Sequence, residues 1–366
     1  MGADTEADTE ADGGEPTRIE ESADWPETAR YLTLVEIEGE AALLLGGDDG
    51  LGTFGNANKV MALRGDGEML WVAMTGNFEV DAIHKLTSIE RLDSGNVWLS
   101  GWAYDEGIVE DDPGWGWYAE LDMQGEWVWF EEVGPGASPQ ISAPRADGSV
   151  VVLSQSWGAD QLLGLSSTAM ELWSVSGWGD DDDEVREWTR ALAVTDTGVM
   201  VGGGHELVGQ ASSSSWFARF SEQGEFLEEF VHAPVAGKSN SGIHELEFDP
   251  ESETLAALCY DYEPGSDGLT QELLLRRFDA SGATLLSTRS IGDGLPLGLK
   301  IDGASGAWIL WDFEGSGMLG YYPADPEAPP EWEVLLEGLA AYDFAVDVDG
   351  KRAYVLTDTS IEIVEF

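Results

Sequence analysis

The chain has one cysteine in 366 residues, Cys259, so no disulfide can staple it internally. It lies in the apolar run "TLAALCYDY", where a small buried hydrophobe is expected over a reactive thiol. Cations are also scarce. Lys and Arg number 17 against 71 Asp and Glu, for a formal net charge of −54 and an isoelectric point near 4.1. Nucleic acid is thereby excluded as a partner, because phosphates need clustered Lys and Arg. Docking on an anionic membrane surface is disfavoured for the same reason. No stretch approaches the ~20 apolar residues that a membrane-spanning helix requires. The chain also has no G-x-S-x-G elbow, no H-E-x-x-H, no P-loop and no dinucleotide fingerprint. No catalytic residue is assigned, and no cofactor is expected.

What the chain has in plenty is carboxylate. Repulsion at this charge keeps a protein soluble, and a monomer is expected. A hydrated acidic surface with little lysine is similar to the surfaces of salt-adapted or marine bacterial proteins. The opening "MGADTEADTEADGGEPT" has no apolar side chain beyond Met1 and its alanines, so residues 1–16 read as a disordered acidic tract. The tract resembles the tether behind the lipidated cysteine of mature bacterial lipoproteins. That resemblance implies an extracytoplasmic protein, secreted or anchored in the cell envelope as an outer-membrane lipoprotein. Met1 would then stand in place of a removed signal and its cysteine. The other reading is an ordinary native N-terminus.

The remaining residues, 17–366, repeat. A strand, a tight turn and a second strand recur seven times, from "YLTLVEIEGEAALLLGG" (31–47) and "KLTSIERLDSGNVWLSGW" (85–102) to "YDFAVDVDGKRAYVLTD" (342–358). The turn positions Gly39, Gly95, Gly148, Gly198, Ser252, Gly306 and Gly350 carry the residue types that tight hairpins demand. Between the copies lies a second hairpin, clearest in "KVMALRGDGEMLWVAM" (59–74) and "WYAELDMQGEWVWFEEV" (117–133), and it occurs six times. Four strands (A to D) at a period near 50 residues predict an all-β, seven-bladed β-propeller forming one domain. The seventh C–D pair is split between the chain ends. "IEIVEF" (361–366) reads as its C strand and "TRIEESADW" (17–25) as its D strand, so residues 17–25 close the ring against 360–366. The repeats and their turns resemble NHL-like, quinoprotein-like and delta-60-type bacterial propellers, a likeness of architecture over residues 17–366.

Propeller strands are scaffold, and the loops carry chemistry. A–B and C–D turns are short; B–C and D–A connections are long and emerge together, which makes one face elaborate. That face is expected to carry Trp102, Trp115, Trp117, Trp157, Trp178 and Trp188, with carboxylates at Glu110, Asp111 and Asp112. Aromatic faces beside acids suit sugar rings; packing between blades is the competing account. At the channel mouth the polar candidates are Arg30, His84, Gln140, Arg190 and His244. His84, His205 and His244 belong to different blades, so isolated hydrogen-bonded histidines are expected over a metal site. Asp180, Asp181, Asp182 and Asp183 read as a solvated loop more readily than as a calcium site, since consecutive residues rarely converge on one ion. The composite expectation is a non-enzymatic binding or scaffold propeller that recognises a protein or glycan. The alternative is a propeller enzyme acting on a sugar or lactone at the channel mouth, with or without a metal.

Overall fold

The computed structural model describes residues 17–21, 25–26, 28–37, 39–49, 57–74, 82–105, 114–135, 138–156, 159–176, 178, 185–207, 212–234, 238, 240–262 and 271–366. These form seven sheets of four antiparallel strands, arranged as a β-propeller. In six blades the strand order is the chain order. In the seventh, Thr17–Glu20 lies outside Ser360–Glu365, with Thr17 opposite Ile363 and Ile19 opposite Ile361. The C-terminal strand is thus paired on both edges, by Arg352–Thr357 inside and the N-terminal strand outside. The N-terminal strand is shorter than the expected 17–25. It ends at Glu20, and Trp25 packs into the core shared by this blade and blade 1 instead.

Burial grades across each blade. B and C strands are sandwiched by neighbouring blades on both faces and read as continuous apolar runs, such as the buried "VVVL" of blade 3. D strands form the rim and alternate, as in Glu171–Ser176 with its exposed, half-buried alternation. Each rim packs on the next blade's C–D turn. Trp71 lies over Gly125 and Trp173 over Gly224, positions where a Cβ would strike the indole. Ile19 covers Gly67 in the same way, so the N-terminal strand also does a D strand's packing across the closure.

In six blades the A–B turn carries one residue in the left-handed region, and the blade 4 turn differs, with Gly198 at φ +155°. In blades 1 to 3 that residue is the expected glycine, for example Gly95 at φ +89°. In blades 5 to 7 it is Glu253, Ser305 and Lys351, each one residue away from the position read from the sequence. Asp302 shows why a non-glycine is held there: its Oδ1 accepts the Ala304 and Gly306 N–H groups.

The innermost strands Thr28–Ile37, Ala82–Arg91, Ser138–Pro144, Val185–Thr195, Asn240–Asp249, Leu295–Ile301 and Ala341–Asp347 surround a central channel of about 860 Å³. Each has its register broken once, at the same level. The extra residue is Arg30, Thr87, Gln140, Arg190, His244, Leu297 and Tyr342 in turn. A bulge crowds the neighbouring strand, and the B strand answers with small residues opposite: Gly47, Gly101, Ser154, Gly203, Cys259 and Thr357, with Trp311 the exception. At Gly47, Gly101 and Gly203 a Cβ would meet the carbonyl of the bulged strand. The lone cysteine therefore fills a small-residue position. It is fully buried, and burial raises its pKa to about 11, which keeps it an unreactive thiol.

Candidate functional site at the channel mouth

The seven bulges lie toward the start of the inner strands, the end from which the long connections emerge. They set a ring of Arg30, Thr87, Gln140, Arg190, His244, Leu297 and Tyr342 around the channel. The ring holds two arginines and no carboxylate, in a chain where acids outnumber bases 71 to 17. The Arg30 guanidinium carbon sits 3.8 Å above the Tyr342 ring, a cation–π stack that leaves its N–H edges open. Gln140 is steadied by bonds from Nε2 to the carbonyl and hydroxyl of Ser138. His244 is held neutral: burial, then the nearby Arg190, push its pKa down to about 4.

One to three residues deeper, roughly 3–10 Å along the strands, the channel changes sign. Glu90, Glu245, Glu247 and Asp343 surround Lys300, which lies 3.3 Å from Glu247 and 3.7 Å from Glu245. Burial pushes Glu90 up to about 7, Glu245 to about 8 and Asp343 to about 6, in each case against the pull of Lys300. Burial alone would lower the Lys300 pKa, but Glu247, Glu245, Glu90 and Asp343 outweigh it and raise it. Although protein encloses it on all sides, Lys300 keeps 46 % of its side-chain surface open to the channel space.

Part of this acid layer is structural. The inner edge of an A strand has no strand partner, and carboxylates from the preceding blade cap its N–H groups. Asp343 accepts from Leu32 at 2.8 Å, and Glu245 accepts from Leu299. Below the acid layer the lining turns apolar, through Leu34, Pro144, Val194, Phe248, Ile301 and Val346.

Of the polar residues read from the sequence, the structure brings Arg30, Gln140, Arg190 and His244 together on the ring. His84 does not join them. It lies three residues before the bulge, 3 % exposed, with its ring 6.5 Å from that of Trp117. The tryptophans are dispersed. Trp117 has no exposed surface and stacks on Phe130, so it offers no face to a ligand. Trp178 packs edge-on to Phe220, and Trp188 covers Gly204. Trp102 lies under the Lys85 ammonium, and Trp115 packs in the core shared by blades 1 and 2. Trp157, Glu110, Asp111, Asp112 and the four aspartates 180–183 lie outside the described residues, as does the tract 1–16. His232 bonds the Gly282 carbonyl of the next blade at 2.9 Å. Among the described residues no three His, Cys, Asp or Glu side chains are grouped to hold a metal ion.

Sequence reading missed Thr87, Leu297 and Tyr342, and the whole acid layer. The small B-strand residues opposite each bulge were the available signal for the first three. Nothing local marks five particular charges among so many.

Compared as a sequence, the chain matches no family model and no curated protein. Compared as a structure, it matches 501 solved chains. One belongs to a crystal structure of a mitotic checkpoint complex, with a TM-score of 0.63 and 9% identity, over 100% of this chain and 96% of that one. Another is a protein of unknown function from Bacteroides caccae, with a TM-score of 0.42 and 11% identity, over 66% of this chain and 79% of its own. The second is too distant to carry an argument. The first speaks to fold alone, a propeller, and propellers host many unrelated functions.

Proposed function

We propose that this propeller is an extracytoplasmic binding module, of the NHL-like bacterial type, that takes its ligand at the channel mouth on the long-loop face. The propeller fold suits binding and scaffold roles in general. One observation carries the reading: seven bulges at one level aim a chemically mixed ring, two of them arginines, into an open concave space. A ring maintained only for packing has no need of two cations without a carboxylate partner at an open mouth. The acidic composition and the N-terminal tract support a place outside the cytoplasm.

The test is a capture screen of soluble glycans and envelope proteins against the parent and Gln140→Trp, which fills the mouth. Capture by the parent, lost in the variant, is the expected result. Unchanged capture moves the site off the channel. The second reading, an enzyme acting on a sugar or lactone, is favoured by Glu90 and Glu245, carboxyls that hold a proton near neutrality as a general acid must. Turnover of a glycoside or lactone that is lost in Glu245→Gln would decide for it.

A further inference from the structure

Every other feature of the chain selects against anions, so the two arginines of the mouth need an account. Arg18, Arg64, Arg219, Arg276, Arg277 and Arg352 each lie within 4.0 Å of a carboxylate oxygen. Among the described residues Arg30, Arg91, Arg145, Arg190 and Arg289 have no carboxylate oxygen within that distance; Arg145 and Arg289 are instead engaged by backbone carbonyls, and of the five it is Arg30 and Arg190 that line the channel. Arg30 is stacked on Tyr342, and its nearest acid field is that of Asp48, which is engaged first by the Leu86 N–H and by Lys85. The charge of Arg190 is felt by His244 and by the Tyr260 hydroxyl, both neutral groups. The two arginines stand in blades 1 and 4, on opposite sides of the channel.

The rest of the lining narrows what they could hold. A guanidinium fork matches a planar carboxylate in two parallel hydrogen bonds. Thr87, Gln140 and neutral His244 complete the ring with uncharged donors and acceptors. Just below, Glu247 and Asp343 offer acceptors to hydroxyls, Glu90 and Glu245 carry a proton near neutrality, and Lys300 is taken up by Glu247 and Glu245, so the layer offers no second site to a negative charge. A singly charged carboxylate on a hydroxylated, otherwise neutral body satisfies both layers, whereas a phosphate dianion does not. We infer that the channel mouth binds a sugar acid of the hexuronate class, with its carboxylate held by Arg30 or Arg190 and its hydroxyls turned to the acid layer. The inference rests on the binding reading above and specifies its ligand.

Calorimetric titration of the full chain with a panel of hexuronates, their neutral hexoses and inorganic phosphate tests it. A hexuronate should bind saturably, its hexose at least roughly tenfold more weakly. Arg30→Gln and Arg190→Gln should each weaken binding roughly tenfold or more, the scale of a lost charge-assisted hydrogen bond. Arg30→Lys should recover only part of the affinity, and Arg219→Gln, on the C strand of blade 4 and away from the channel, should change nothing. Hexose binding as tight as hexuronate, phosphate binding as tight as hexuronate, arginine variants indistinguishable from the parent, or no saturable hexuronate binding would each overturn the assignment. A neutral glycan that is captured by the parent, blocked by Gln140→Trp and indifferent to both arginine variants would sink this inference alone and leave the binding module standing.

Discussion

The Arg276–Asp261 pair is the sharpest place to test how the blades are held together. Arg276 Nη2 donates to both Asp261 oxygens, at 3.1 and 2.9 Å, and Nη1 donates to the hydroxyls of Ser215 and Ser241 at 2.9 and 3.0 Å. Ser241 in turn donates to Asp261 at 2.6 Å. Asp261 is 0 % and Arg276 2 % exposed, and the network spans blades 4 and 5. Removing one partner strands a charge with no water to receive it. Arg276→Met and Asp261→Leu should therefore each cost about 3–5 kcal/mol. The pair itself is worth far less, because forming it required desolvating both ions. Arg276→Met with Asp261→Leu should cost only about 1–3 kcal/mol, the residue of two serine hydroxyls left short of partners. The single variants should thus be strongly non-additive. Urea unfolding reads this as midpoint shifts at unchanged slope. Arg219→Met serves as the control: its bridge to Glu228 is partly exposed, and its loss should cost under about 1 kcal/mol. Single-variant costs that simply add in the double variant, or either one falling below about 1 kcal/mol, would refute the account of a buried charge unit.

Three further outcomes follow from the same structure. Ile361→Ala, at a fully buried position of the closing strand, should cost about 2–5 kcal/mol, and deleting residues 361–366 should abolish cooperative melting; a truncated chain as stable as the parent would refute ring closure. Glu245 has a raised folded-state pKa, so the folded chain holds a proton that the unfolded chain has lost, and stability falls as pH climbs from about 4.5 to about 8. Glu245→Gln should gain on the parent across that window, measured by denaturant midpoint, and a constant difference would contradict it. Gly101→Ala should cost roughly 1–3 kcal/mol, because the new methyl meets the Lys85 carbonyl and the Trp117 indole; a neutral result would mean the bulged strand is not tightly apposed there.

Strand pairing joins consecutive segments in six of the blades, and the sequence alone determined it there and, by counting hairpins, in the seventh. Alternation in "IEIVEF", turn residues every 50 or so positions, and seven A–B pairs against six C–D pairs were enough to place Thr17–Glu20 beside Ser360–Glu365. Arg30, Gln140, Arg190 and His244 were legible as residues near the start of inner strands for the same reason. The left-handed turn residues Glu253, Ser305 and Lys351 were not, because a hydrogen-bonding Asp nearby lets a non-glycine take that conformation. His84 was misplaced for want of the bulge, since one extra residue in a strand shifts which side chains reach the channel. Trp117 looked like a loop-face aromatic in the sequence, yet the packing of blade 2 against blade 1 hides it completely. The charge reversal down the channel belonged wholly to the tertiary structure. Glu90, Glu245, Lys300 and Asp343 come from four strands spread over more than two hundred residues, and only closure of the ring puts them within each other's field.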